Sequence, residues 1–477
     1  MKRSFFLAFL WALLPLLPAF CSNSIAGSPY TDLYPSVWSL WAVGDWLASG
    51  FQLSILNHPE GQSWYPSALL VGLIAQPLYW LLSPAWVYNL LLFSSRWLGA
   101  ISFYLAGYAY SKNENASTFF MVLVACSPFV HGFSVEGIIE GTQLWALGFW
   151  LWAIASKRYK LGILFFFLSI LSNWYFGAVG CLLCFLLGLH NRKIWLSFLG
   201  LLPASPFIFL FLSSLSSSAQ ISPEIIQMMG FQFQFPVPNI TSKPNPFAIS
   251  TYLGWLPFIL LFTSRNRNSF WIIFPFFLSL GLPILYQLPV FSSVRFPYRW
   301  HLGTLIILGW VLFAHPWVQK KSWLALLLLL EYLLLSPIDA ILPKATAQFP
   351  EYLAQIDSPV LDIPGPLSRP AGQINPSRPR MKYLLYYQTK HQQPIGWGLD
   401  FNGLQEMNDC FSETRIIDPS ATQEEKILSG IQNCWKDIRW VVIHHNNQKF
   451  NQTLQKLGYK KYATNTVPQL WKKESDE

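Results

Sequence analysis

Apolar residues fill the first two thirds of the chain in long runs broken by short polar turns. That pattern predicts membrane helices and not the strict alternation of a half-buried sheet. The runs lie near 86–110, 116–131, 142–156, 161–175, 176–190, 194–213, 248–264, 269–286, 301–315 and 322–337. Ahead of them, Lys2 and Arg3 lead an apolar stretch to Phe20 that suits either a signal peptide or a first spanning helix. Ser24-Ile25-Ala26 is a passable cleavage site for the first alternative. Residues 34–47 place Val37, Leu40, Trp41 and Leu47 at helical spacing, with Trp38 and Trp46 beside them. This predicts an amphipathic helix resting at the headgroup level.

After Pro337 the pattern shortens. Residues 359–363 and 438–443 read as strands, 424–435 and 451–457 as helices, 466–471 as a last strand, and 381–389 as strand or helix. The expected fold is therefore an all-α polytopic membrane domain over 1–337 and a small α/β domain over 338–477. The adjacent His444 and His445 end a strand and point to opposite faces, which favours a structural role.

Charge sharpens this division. Residues 1–337 hold 16 Lys+Arg and 8 Asp+Glu, whereas residues 338–477 hold 16 and 15. With 12% charged residues overall, the chain is no ordinary soluble protein, where about a quarter are charged. The net charge of +9 does not gather into a phosphate-tracking patch, so no nucleic-acid partner is expected. The basic residues instead set orientation. The run at 67–82 holds Pro77 and precedes Ser83-Pro84. If it rests on the outer face, Lys2, Arg3, Lys112, Lys157, Arg158, Lys160, Arg192, Lys193, Arg265, Arg267, Lys320 and Lys321 all fall inside. Lys243, Arg295 and Arg299 then fall outside. If it crossed, ten of the twelve would move out. The expectation is eleven spans in a bacterial cytoplasmic membrane, with the 338–477 domain extracytoplasmic. Six cysteines are too few for a disulfide scaffold. Cys181 and Cys184 read as helix packing, and Cys410 and Cys434 could pair in an oxidising compartment.

This topology puts Asp32, Asp45, Glu60, Glu136, Glu140 and Glu224 on the outer side. A carboxylate beside apolar helices is costly and usually faces a cavity or a partner. Asp45 and Glu224 are read as structural. Asp32 sits between the first apolar stretch and the interfacial helix. Glu136 and Glu140 are four apart, so on a helix they would share a face. Asp32 near Glu140 would make a two-carboxylate pocket, suited to general-base work or to a divalent cation such as Mg or Mn. Arg295 and Arg299, among Phe296, Tyr298 and Trp300, suit either a lipid phosphate or plain interfacial anchoring. His131 and Glu60 are weaker candidates for the same substrate pocket. Arg96 is read as paired or snorkelling and not as part of a pathway, and Glu331 has no evident partner in the sequence.

The arrangement resembles the GT-C-fold glycosyltransferases over about residues 1–215. Those enzymes include lipid A aminoarabinose transferases and protein O-mannosyltransferases. The matching positions are Asp32 at the head of the first outer loop, Gly44-Asp45-Trp46-Leu47-Ala48-Ser49-Gly50, and Asn57-His58-Pro59-Glu60-Gly61. Glu140 matches the second acidic position best and Glu136 less well, with glutamate where aspartate is usual. Pro-Glu-Gly at 59–61, Tyr88-Asn89-Leu90-Leu91-Leu92, Leu361-Asp362-Ile363-Pro364 and Pro394-Ile395-Gly396-Trp397-Gly398 resemble a bacterial branch of that superfamily.

The resemblance implies an inverting transferase that takes a sugar from a polyprenyl-phosphate donor to a lipid or glycan acceptor. Asp32 would be the base or metal-side carboxylate, Glu140 its helper, and Arg295 or Arg299 the phosphate partner. The alternative is a lipid-linked glycan transporter or a scaffold displaying the 338–477 domain. A transporter needs charge near the midplane, where only Arg96 and Glu331 are candidates.

Overall fold

The computed structural model describes residues 2–56, 62–63, 65–215, 250–264, 272–280, 297–363, 383–395, 438–444, 448–463 and 468–473. Glu60, Glu224, Lys243, Arg295, Cys410, Cys434, His445 and the helix expected at 424–435 lie outside the described residues.

Helix α1 (Lys2–Leu13), a 3-10 turn at Leu14–Leu16 and α2 (Leu17–Cys21) form one apolar stretch of 20 residues. Pro15 and Pro18 tighten its middle because each lacks a backbone N–H. Strand β1 (Ile25–Ala26) leads to α3 (Leu33–Ala48), the helix that the tryptophan-rich pattern predicts. Strands β2 (Gln52–Leu53) and β3 (Gln62–Ser63) pair antiparallel before α4 (Leu69–Tyr79). At 1.5 Å per residue, α4 is about 16 Å long, half the thickness of a bilayer core. It lies along α3, where Gln76 Nε2 donates to Leu40 O at 2.8 Å.

Helix α5 (Pro84–Ser111) is the central pillar. Around it stand α1, α6 (Glu114–Ala125) and α8 (Trp145–Ala155). A Cβ on Gly148 of α8 would meet Ser102 Oγ at 2.1 Å, so glycine there lets the two backbones close. Between α6 and α8, α7 (Pro128–Val135) is bent 40° from α6. The break falls where Pro128 follows Ser127, whose hydroxyl caps Val130 N.

Helices α9 (Tyr159–Ser172), α10 (Trp174–Gly188), a 3-10 stretch at Arg192–Gly200 and α11 (Leu201–Leu215) continue the bundle. Further on come α12 (Trp255–Thr263), α13 (Ile273–Ser279), α14 (His301–Leu312), α15 (Pro316–Lys320) and α16 (Trp323–Leu335). Among the described residues, Lys2–Cys21, Pro84–Ser111 and Arg192–Phe211 are long and apolar enough to cross a membrane, and a fourth span arises if α6 and α7 count together. The remaining positions read as spans carry shorter helices among the described residues, and the runs at 248–264 and 269–286 are described only in part.

Strand β4 (Lys344–Ala345) returns to pair antiparallel with β1. Beyond it, β5 (Val360–Ile363), α17 (Tyr383–His391), β6 (Trp440–Ile443), α18 (Gln448–Lys456), β7 (Tyr459–Ala463) and β8 (Gln469–Lys473) build an α/β unit. Its sheet runs β5-β6-β8-β7, parallel between β5 and β6 and antiparallel elsewhere. Residues 381–389, open between strand and helix in the sequence, fall largely on α17. The unit is docked on the interfacial helix. Trp38 Nε1 of α3 donates to Gln388 Oε1 at 2.7 Å, and Gln388 Nε2 donates to Ile55 O at 2.7 Å. Trp38, Trp46, Leu385, Trp440 and Leu470 share one apolar cluster. The boundary read at 337 thus falls inside a stretch woven into the first outer loop.

Candidate active site

Two loops more than a hundred residues apart meet where α3 begins. Helix α7 stops at Val135 because Gly137 takes φ +71°, a left-handed conformation that glycine adopts without steric cost. The exposed carbonyls at this end accept from the first outer loop. Ser28 N donates to Val135 O at 2.7 Å, and Asp32 N and Thr31 Oγ1 donate to Glu136 O at 3.2 and 2.7 Å. A Cβ on Gly137 would stand 2.4 Å from Leu33 Cα, so the missing side chain is what lets the loops touch. Asp32 is thereby fixed at the first residue before α3, exposed, beside the 3-10 turn Ile139–Thr142 that carries Glu140.

The Glu140 turn is held from the other side by the α9–α10 junction. Asn173 Nδ2 donates to Glu140 O at 2.7 Å, while Asn173 Oδ1 accepts from Tyr175 N at 2.8 Å and starts α10. Tyr175 in turn receives the buried Arg299 guanidinium over its ring at 3.6 Å, with Phe133 at 5.8 Å. Arg299 also donates to the Tyr298 hydroxyl. The Tyr88 hydroxyl and Trp174 Nε1 are buried nearby without a hydrogen-bond partner among the described residues.

Charge ties the group together. Burial raises the Glu140 pKa, Arg299 opposes that rise, and Asp32 adds to it. Burial likewise pushes the Tyr298 hydroxyl up to about 12, against the pull of Arg299. For Arg299 burial works against its charge, but Tyr175, Tyr298 and Glu140 together outweigh it and raise its pKa. Asp32, Glu140, Tyr298, Arg299 and Tyr175 therefore form one electrostatic cluster, with Asp32 at its exposed edge. Such a cluster can take a proton at one carboxylate and hold an anion at a guanidinium a short distance away.

Several sequence expectations change here. Glu136 and Glu140 do not share a helical face, because Gly137 ends α7 between them. Glu136 is buried and serves the site through its backbone carbonyl. His131 is not available to a substrate. The Arg96 guanidinium donates to its Nδ1 at 3.1 Å, which leaves Nε2 as the protonated nitrogen, donating to Asp339 O at 2.7 Å. Arg96 is paired, as expected, with Ser134 Oγ at 2.8 Å and the Trp11 ring at 4.7 Å as further partners. Glu331 gains a role: its carboxylate accepts from Tyr252 Oη at 2.7 Å, from Leu256 N at 3.2 Å and from Trp255 N.

Asp45 accepts from Ser54 N and Oγ at 2.9 and 2.7 Å, which is structural work. His444 Nε2 meets Asp362 Oδ1 at 2.8 Å across the sheet. Asn173 and Tyr175 escaped the sequence reading, whereas Tyr298 was read only as an aromatic neighbour of the two arginines. The runs 161–175 and 176–190 abut without a charged break, so nothing marked their junction as a loop.

Among the described residues no group of three or more His, Cys, Asp or Glu could hold a metal ion. Two carboxylates can still bind Mg2+ when substrate phosphate and water complete its shell, so the donor set fits that use alone.

The bundle and its docked sheet define an α-helical membrane protein with an α/β extension. No family model and no curated protein matches the chain. Solved structures of mycobacterial arabinofuranosyltransferase AftD share its fold. A mutant form aligns over 100% of this chain and 42% of its own, with a TM-score of 0.52 and 13% identity. A second structure of the same protein aligns over 100% and 40%, with a TM-score of 0.50 and 14% identity. This chain thus spans about two fifths of those proteins.

Proposed function

We propose that the chain is a membrane glycosyltransferase of GT-C type, moving a sugar from a polyprenyl-phosphate donor to an acceptor on the outer face. The observation that carries this reading is the convergence of Asp32, Glu140 and Arg299 from three separate loops at one end of a bundle with the AftD fold. The first structural step is binding: Arg299, kept cationic and stacked on Tyr175, receives the donor phosphate.

In the transfer, Asp32 takes the proton of the acceptor hydroxyl and that oxygen forms a bond to the anomeric carbon. The bond from that carbon to the phosphate oxygen breaks, and its electron pair leaves with polyprenyl phosphate. Attack opposite the leaving group inverts the centre. Glu140, which holds a proton more tightly than an ordinary carboxyl, orients the sugar or the phosphate by donating a hydrogen bond. Preorganised charge of this kind often supplies the largest share of catalysis.

The test is transfer of labelled sugar from polyprenyl-phosphate donors in membranes at equal expression. Asp32→Asn should lose about 100-fold or more in rate, and Glu140→Gln about 10-fold or more. Wild-type transfer that survives both substitutions would move the chemistry elsewhere. No transfer from any donor would favour the transporter or scaffold alternative.

A further inference from the structure

The helices that carry the carboxylate cluster at one end enclose a large cavity at the other. Helix α8 runs from the Glu140 turn to Ala155, and α10 runs from Tyr175 to Gly188, so their far ends lie about 16–22 Å away. Between them and α14 lies a space of about 1100 Å³. That is just above the ~300–1,000 Å³ range of small-molecule pockets. Its apolar lining includes Ala106, Phe120, Leu151, Leu183, Ile306 and Trp310. Its polar lining, Lys157, His190, Asn191, Thr263, Ser264 and His315, lies at or just beyond helix ends, with Tyr110 near the end of α5.

The surroundings of the polar end identify the occupant. Lys157, Arg158, Lys160, Arg192, Lys193 and Lys320 are all exposed at this end, against a single nearby acid, Glu114. The C-termini of α5, α8, α10, α12 and α14 also end here, but their partial charges of about −0.5 each sum to less than that rim of full positive charges. Trp195, Trp317 and Trp323 are exposed at the same end, the position tryptophan takes at headgroup depth. A largely apolar cavity with Lys157 on its lining, at an end of the bundle rich in exposed cations and tryptophans, fits a lipid with an anionic phosphate headgroup. A free phosphate would leave the apolar lining unused, and a neutral hydrocarbon would ignore the rim.

We infer that this cavity binds an anionic phospholipid at the end of the bundle away from the candidate active site, with its headgroup at Lys157 and an acyl chain between α8, α10 and α14. The site is separate from the proposed chemistry and stands whether or not that reading holds.

The full chain, purified in detergent and stripped of lipid, can be titrated with phosphatidylglycerol and phosphatidylcholine and read by native mass spectrometry. Wild type should take up one phosphatidylglycerol ahead of a weaker series, and prefer it to phosphatidylcholine. Lys157→Gln, at an exposed position, should weaken phosphatidylglycerol by about fivefold and leave phosphatidylcholine unchanged. Ala106→Trp, which fills the cavity, should remove the first tight step for both lipids at an unchanged unfolding temperature. Uptake in equal weak steps, or equal preference for the two lipids, would overturn the inference. So would a Lys157→Gln variant that matches wild type, and that result decides the matter alone if Ala106→Trp fails to fold.

Discussion

At the scale of single residues, one missing side chain holds the candidate site together. Gly137 sits at φ +71° with Leu33 Cα 2.4 Å from where a Cβ would be. Gly137→Ala therefore meets both a strained backbone and a collision, and should cost about 1–3 kcal/mol. It should also part Asp32 from Glu140. Thermal unfolding and sugar transfer measured on one preparation check this, and a fully active variant would show that the loop contact does not matter.

Glu140 permits a pH test. Its pKa is raised by burial, so the folded state keeps the proton longer than the unfolded chain does. The stability tied to that proton is complete below the unfolded value near 4.3 and is lost as pH rises through the folded value. Glu140→Gln escapes that loss. Its melting temperature relative to wild type should therefore climb between acid and neutral pH, even as transfer falls. A constant difference would mean that the folded chain ionises Glu140 freely.

Asp32 and Glu140 were legible in the sequence because acids are so scarce in an apolar stretch that each one needs a reason. Tyr175 and Asn173 were not legible. An aromatic and an amide at a helix start look the same whether they line a site or fill a core.

At the scale of elements, a carboxylate from one helix caps another. Helix α12 begins after Gly254, which has no side chain to cap it, and Glu331 of α16 accepts from its first two N–H groups. Those orphan donors would otherwise be left without partners in a dry setting. Glu331→Gln keeps the shape but gives up the charge-assisted bonds. It should lower stability by about 0.5–2 kcal/mol, read as a shift of the melting temperature in detergent. An unchanged melting temperature would mean that the cap contributes nothing.

Helix identity was plain from hydropathy, since long apolar runs leave little choice. Where helices stop was much less plain. The run at 116–131 gave no sign of the 40° bend, because Ser127-Pro128 reads equally as a loop residue pair or a helix start. Strand β7 was missed altogether, because Lys460 and Lys461 interrupt the alternation that marks a strand. Its pairing with β8, and not its own pattern, makes it one.

At the scale of the whole molecule, composition divides the chain at about residue 337, yet the packing ignores that line. Composition reports which solvent a segment meets, and cannot report what it docks against. Gln388 binds α3 and the loop after it, and β4 completes β1, so the α/β unit and the segment between the first apolar stretch and α4 pack against each other. This connection has a consequence in time. Tyr34 Oη reaches Thr346 O across 312 residues of sequence. At a synthesis rate of about 5–20 residues per second, the loop bearing Asp32 waits some 15–60 s for the strand that closes over it. During that interval the future site is an open edge on the membrane surface, with its acid, its tryptophans and two unpaired strand residues uncovered. The bundle can insert helix by helix as it is made, whereas the corner around Asp32 closes only once β4 has been made.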